Sequence, residues 1–227
     1  MGRFLYNFLL FGLCCIQCCY TTTVLINSTS LTTIQTYGDT VTSVTVSNCN
    51  IAGVLTVNSR SMEEINIYNN NISSSAVFLT IKANGLRNTI INIYNNNFAC
   101  SVRNCIAFNS PNLTNVTINI YNNNINGTAN FINMTSPIFN NMTFDVHDNT
   151  LQNIATTIYV YNATFNNLSI AIQKNTATIN NITMLYLSGS VNDSLIIINN
   201  NTMTNTNNIA YLFTYYLSSA NNINTYA

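Results

Sequence analysis

Between Ile65 and Ile72 apolar and polar residues alternate strictly and then give way to three asparagines in a row, Ile65-Asn66-Ile67-Tyr68-Asn69-Asn70-Asn71-Ile72. The string INIYNNN returns intact at Ile91 and at Ile118. Weaker copies begin at Val44 (VTVSNCN), Phe144 (FDVHDNT), Ile170 (IAIQKNT) and Ile196 (IIINNNT), so the starts are 44, 65, 91, 118, 144, 170 and 196, with steps of 21, 26, 27, 26, 26 and 26. Alternation at period two predicts a strand with one buried face. Its return at a near-constant step predicts a stacked repeat.

Each period holds a second apolar segment, at Val77 to Ile81, Cys105 to Phe108, Phe131 to Met134, Thr157 to Val160, Ile182 to Leu187 and Ile209 to Phe213. Two or three short strands in a period leave little room for a helix. Copies one whole period apart must lie parallel and in register, which predicts an all-β fold: a parallel β-helix with one chain wound into about seven coils. The core is expected from Ile65, Ile67, Ile91, Ile93, Ile118, Ile120, Ile170, Ile172, Ile196 and Ile198. Five residues after each start stand Cys49, Asn70, Asn96, Asn123, Asn149, Asn175 and Asn201. Six stacked asparagines at the strand turn predict an amide ladder that satisfies the corner backbone. Asn115-Val116-Thr117, Asn141-Met142-Thr143 and Asn167-Leu168-Ser169 repeat just upstream of the strand.

The strand-and-turn pattern N-φ-T-I-x-I-x-x-N-N-φ (φ apolar) and the Asn ladder, from about Val41 onward, resemble the right-handed parallel β-helix proteins of the pectin-lyase-like class. They also resemble the Asn- and Thr-rich repeat surface proteins of trypanosomes and other protists. The resemblance implies coil geometry and a right-handed winding, which the rule for parallel crossovers also favours. Its members range from polysaccharide-cleaving enzymes to adhesins and structural proteins, so it implies no single activity.

Composition narrows the functional classes. Of 227 residues, 47% are apolar and only 5% charged, with zero formal net charge. No basic patch is present to hold nucleic acid. Forty-six residues are Asn, yet the fixed period argues for order rather than for a low-complexity tract.

Residues 1–20 read as a secretory signal peptide, with Arg3 ahead of the apolar run Phe4 to Ile16, which is too short to span a bilayer. Residues 21–43 keep strand-like Thr and Val and suit an N-terminal capping segment, and 44–227 form the repeat domain. The expected destination is secretion or the extracellular surface. Cys14, Cys15, Cys18 and Cys19 belong to the leader, leaving Cys49, Cys100 and Cys105. The one period of 27 contains Cys100 and Cys105, which bracket an enlarged loop and predict a local disulfide in an oxidising compartment. Twelve Asn-x-Ser/Thr sequons follow the leader, against about ten that composition alone would generate.

Candidate chemistry lies on the outward face. The fourth repeat position reads Ser47, Tyr68, Tyr94, Tyr121, His147, Gln173 and Asn199. Coils at roughly 4.8 Å would stack Tyr68, Tyr94 and Tyr121 into an external ladder, flanked by Asn66, Asn92 and Asn119. Self-stacking that stiffens the sheet is one role; a platform for sugar rings is the other. Asp145 and His147 share that face and are the alternative, a catalytic cluster of a polysaccharide lyase or glycoside hydrolase. Glu64 lies three coils from Asp145, roughly 14 Å, beyond the spacing of paired-carboxylate glycosidases. No metal-ligating set, cofactor motif or catalytic triad is evident. A flat Thr array for ice binding fails, since Thr117 and Thr143 have no matching Thr in other coils. The expectation is a non-catalytic structural or adhesive protein that needs no cofactor and contacts glycans or other surface proteins, with end-to-end self-association through an open C-terminal coil.

Overall fold

The computed structural model describes residues 22–32, 35–74, 76–82, 85–100, 104–109, 112–127, 130–135 and 138–226. The leader expected over Met1 to Tyr20, with its four cysteines, lies outside the described residues. Twenty strands and no helix make up the described chain.

The strands fall on three faces. The first face carries β1 (Thr22–Asn27), β4 (Val41–Ser47), β7 (Glu64–Tyr68), β10 (Leu86–Tyr94), β13 (Asn112–Tyr121) and β16 (Ile138–His147). The second carries β2 (Ser30–Leu31), β5 (Asn50–Ile51), β8 (Asn71–Ser74), β11 (Asn97–Cys100), β14 (Asn124–Gly127) and β17 (Thr150–Gln152). The third carries β3 (Gln35–Tyr37), β6 (Leu55–Val57), β9 (Leu79–Ile81), β12 (Asn104–Phe108) and β15 (Asn130–Met134). Three long strands then run around the corners: β18 (Thr156–Gln173), β19 (Thr176–Asn199) and β20 (Thr202–Tyr226).

Every strand pairs in parallel with the strand one coil away, and the repeat starts stand opposite one another, Ile65 to Ile91 to Ile118 to Phe144 to Ile170 to Ile196. The result is a parallel β-solenoid of about six turns. Seven coils were expected. The count differs slightly, and the last coils are built differently, since β18, β19 and β20, of 18, 24 and 25 residues, run on through corners that break the earlier coils into three strands.

Alternation places the first and third repeat positions inside, and all ten isoleucines named from the pattern are buried. The second apolar segments close the core from the third face with Leu79, Ile81, Ile106, Phe108, Ile132 and Met134. Aromatic packing knits neighbouring coils, edge-to-face between Phe98 and Phe131 at 5.3 Å and stacked between Phe139 and Phe165 at 4.6 Å.

The triple asparagine has three separate jobs. The first of each set, Asn69, Asn95 and Asn122, has φ of 55–56°. That left-handed conformation turns the corner, and Asn tolerates it far better than most residues with a Cβ. Asn48, Asp148, Lys174 and Asn200 hold the same place with φ of 53–55°. The second asparagine points inward. Asn123 is buried; its Oδ1 accepts from both the backbone N–H and the Nδ2 of Asn96, while its own Nδ2 donates to Ile93 O, Tyr121 O and Asn149 Oδ1 at 2.9–3.0 Å. Asn70, Asn96, Asn149, Asn175 and Asn201 continue the column by the same bonds. Cys49 ends it: its N–H donates to Asn70 Oδ1 and its thiol to Ser47 O at 3.0 Å. The third asparagine faces solvent, with Asn97 Nδ2 donating to Asn71 Oδ1 and Asn124 Nδ2 to Asn97 Oδ1, both at 3.1 Å.

A second left-handed column explains the upstream motif. Asn88, Asn115, Asn141, Asn167, Asp193 and Asn222 have φ of 47–59°. Asn115, Asn141 and Asn167 are also bonded amide to amide, 2.8–2.9 Å, each to the residue one coil earlier.

Cys100 and Cys105 are disulfide-bonded with Cα atoms 5.7 Å apart. Because the bridged loop is short, replacing both by alanine is expected to lower unfolding free energy by at most about 2 to 3 kcal/mol. Urea denaturation of the double variant checks this.

Candidate functional site

The outward side of the first face carries parallel columns, because each strand presents alternate residues and each coil repeats the register. Tyr68 stands opposite Tyr94, Tyr94 opposite Tyr121 and Tyr121 opposite His147. Their rings stack with centroids 5.0, 5.0 and 5.2 Å apart and planes within 7° of parallel. His147 is thus the fourth ring of the stack. In the next column Asn92 Nδ2 donates to Asn66 Oδ1 at 2.9 Å and Asn119 Nδ2 to Asn92 Oδ1 at 2.8 Å. Both columns are half-buried by their own neighbours.

This packing decides what the face can offer. Rings stacked face to face cover one another's π-surfaces, so the interior rings present edges and phenolic hydroxyls to solvent. The face is therefore a row of hydroxyls beside a row of amides, repeated at the coil spacing, rather than a set of open ring platforms. Burial raises the pKa of Tyr94 first, and the neighbouring Tyr121, Tyr68 and Glu64 raise it further.

Asp145 follows Asn119 in the amide column and lies opposite Ala171. His147 Nδ1 pairs with Asp148 Oδ2 at 2.8 Å, both partly exposed. The carboxylate that meets the imidazole is therefore the one at the left-handed corner, not Asp145 on the strand. Arg60, Arg87 and Lys174 are exposed; Arg103 lies outside the described residues. Among the described residues no three His, Cys, Asp or Glu side chains converge.

Two further features lie on the third face. A shallow hollow of about 490 Å³ is lined by Thr36, Thr56, Thr80, Asn58 and Lys82, with Val54, Ala76 and Val77. Beside it in sequence, Tyr37 packs against the core, and burial pushes its phenol up to about 12. In the unfolded chain this group ionises near its ordinary 10.0, so the stability it contributes is intact below pH 10 and drains as pH rises through 12. Tyr37→Phe is expected to flatten that alkaline loss, read from denaturant midpoints across the range.

Farther along the same face, Tyr159 stacks on Tyr186 at 4.5 Å, with Tyr161 parallel to Tyr159 at 6.5 Å and Tyr216 tilted 45° against Tyr186 at 5.8 Å. The sequence pattern singled out only the first-face tyrosines. The 27-residue step from Tyr159 to Tyr186, one repeat period, is the signal that marks this second cluster. No protein family, curated protein or solved structure matches the chain.

Proposed function

We propose that this is a non-catalytic structural or adhesive protein of the cell exterior, which contacts glycans along the first face. The observation that carries the reading is the uncharged double row of Tyr68, Tyr94 and Tyr121 hydroxyls and Asn66, Asn92 and Asn119 amides at one coil spacing. An extended polysaccharide laid along the solenoid axis would meet a hydroxyl and an amide at each step, and hydrogen-bonding groups held on a rigid sheet lose little freedom on binding. The leader-like start and the Cys100–Cys105 pair support an exterior location. The resemblance to pectin-lyase-like β-helices and to protist surface repeats covers this reading and its rival alike. The rival is a polysaccharide lyase or hydrolase using Asp145 and His147.

Glycan-array binding by wild type and by two triple variants tests this. Replacing Tyr68, Tyr94 and Tyr121 by Phe keeps the stack and deletes the hydroxyls; replacing them by Ala removes both. Binding lost in both variants is the expected result. Absent binding, or binding unchanged in both, would remove the first-face reading, and polysaccharide cleavage abolished by His147→Ala would put the enzyme in its place.

A further inference from the structure

The tyrosines of the third face differ from the first-face stack in one respect: their column is interrupted. Tyr159 and Tyr186 are in register one coil apart and close on each other. The neighbouring outward column reads Tyr161, Ser188, Tyr216. Leu187 lies opposite Val160, and Ser188 lies opposite Tyr216. Where the first face has a ring in every coil from Tyr68 to His147, this column has a small hydroxyl in the middle coil. Tyr161 and Tyr216 therefore stand two coils apart, roughly 9 to 10 Å, and are 53% and 68% exposed.

The ring of Tyr161 lies within 4° of the Tyr159 plane, so one of its faces is turned toward the coil that holds Ser188. Tyr216, opposite Ser188 on the far side, packs against the Tyr186 ring at 5.8 Å with its plane tilted by 45°. The backbone here is shaped for it. Two residues, Tyr161 and Asn162, bulge against Ser188 between the paired positions Val160–Leu187 and Ala163–Gly189. Asn162 has φ of 53°, and the bulge carries Tyr161 outward. Gly189, φ 128°, lets the strand pass close over Ala163.

We infer that the space over Ser188, between Tyr161 and Tyr216, is a binding slot for a single neutral pyranose ring. Tyr161 offers a ring face on one side and the tilted Tyr216 an oblique wall on the other, and the separation leaves room for one further ring at about 4.5 to 5 Å from the Tyr161 face, the distance at which aromatic faces pack. A pyranose presents C–H groups on its faces and hydroxyls at its rim, and the rim would meet Ser188 and the exposed Asn162. The stretches 156–166, 183–192 and 211–221 that meet here contain no charged residue, which selects a neutral sugar over a uronate or sulfated one. The slot shares its ligand class with the first-face reading but none of its residues, so either can fail without the other.

Titration with cellotriose and with chitotriose, followed by calorimetry and by saturation-transfer NMR, tests the slot. Wild type is expected to bind at least one of them. Ser188→Tyr, which completes the column and fills the gap, and Tyr216→Ala, which removes an exposed wall, are each expected to weaken that binding by about tenfold or more. The Tyr68, Tyr94 and Tyr121 to Phe variant is expected to bind as wild type does. Failure of wild type to bind either sugar would overturn the slot, as would unchanged binding by Tyr216→Ala. Binding kept in Ser188→Tyr but lost in the first-face variant would overturn it too, and would assign the sugar to the first face.

Discussion

Asn123→Ala is expected to lower the free energy of unfolding by about 4 kcal/mol. The side chain is buried in the middle of the ladder, and its removal orphans the Asn96 N–H, while Asn96 Nδ2 loses one of three acceptors and keeps Ile67 O and Tyr94 O. It also takes a donor from Ile93 O, Tyr121 O and Asn149 Oδ1. Each buried polar group left unpaired costs about 1 to 3 kcal/mol. The neighbours in the same triplet separate this role from the other two. Asn122→Ala forces a non-glycine residue less suited than Asn into the left-handed region and is expected to cost about 1 kcal/mol. Asn124→Ala, on the exposed surface, is expected to stay within about 0.5 kcal/mol of wild type. Chemical denaturation of the three variants reads the series. Equal costs across the triplet would contradict the three-job description of the asparagines.

Gly189→Ala is the second large effect, expected at about 3 to 5 kcal/mol and observable as a depressed denaturation midpoint or loss of soluble protein. A Cβ there would press on the Ala163 carbonyl oxygen and lie 2.6 Å from Ala163 N, at a backbone φ of 128°. Backbone atoms cannot step aside as a flexible side chain can. Both the strain and the overlap therefore act, each worth about 1 to 3 kcal/mol. Gly38 is the control, since a Cβ at that position meets nothing within 4 Å. Gly38→Ala is expected to change stability by less than about 0.5 kcal/mol.

The fold was legible because period two and the 26-residue step act on the same residues. Ile65, Ile67 and their equivalents declare both the buried face and the partner strand one coil away. Less legible was the division of labour within Asn69-Asn70-Asn71. Three identical letters carry a left-handed turn, a buried bond network and an exposed ladder, and only backbone direction tells them apart. Before Val41 the repeat is hidden by a short coil, an outward Leu25 that breaks the alternation, and Ser28 and Thr29 at the places of the corner asparagines. Val24, Leu25 and Ile26 nevertheless pair with Val44, Thr45 and Val46. At the other end Ile196 and Ile197 pair with Thr225 and Tyr226 after a coil in which register shifts occur, so no string comparison finds the copy.

The first-face stack followed directly from the repeat, since Tyr68, Tyr94 and Tyr121 share one position. That His147 joins it as a ring and turns its nitrogen to Asp148 depends on side-chain direction at a corner, which alternation does not specify. The slot over Ser188 was hidden for a related reason. Tyr161 sits in a bulge, and a bulge shifts the count by one residue, so the column Tyr161, Ser188, Tyr216 has no constant spacing in sequence.

The solenoid itself is tested most directly by distances along one exposed column. Asn50, Asn71, Asn97, Asn124, Thr150, Thr176 and Thr202 follow one another in register, one per coil. Spin labels on cysteines introduced at positions 50 and 176, and separately at 50 and 202, measured by pulsed electron double resonance, span five and six coil steps. The expected mean distances are roughly 24 and 29 Å, differing by about one strand spacing for a 26-residue change in sequence. Broad distributions, or a difference between the two pairs much larger than one strand spacing, would contradict the stacked parallel coil.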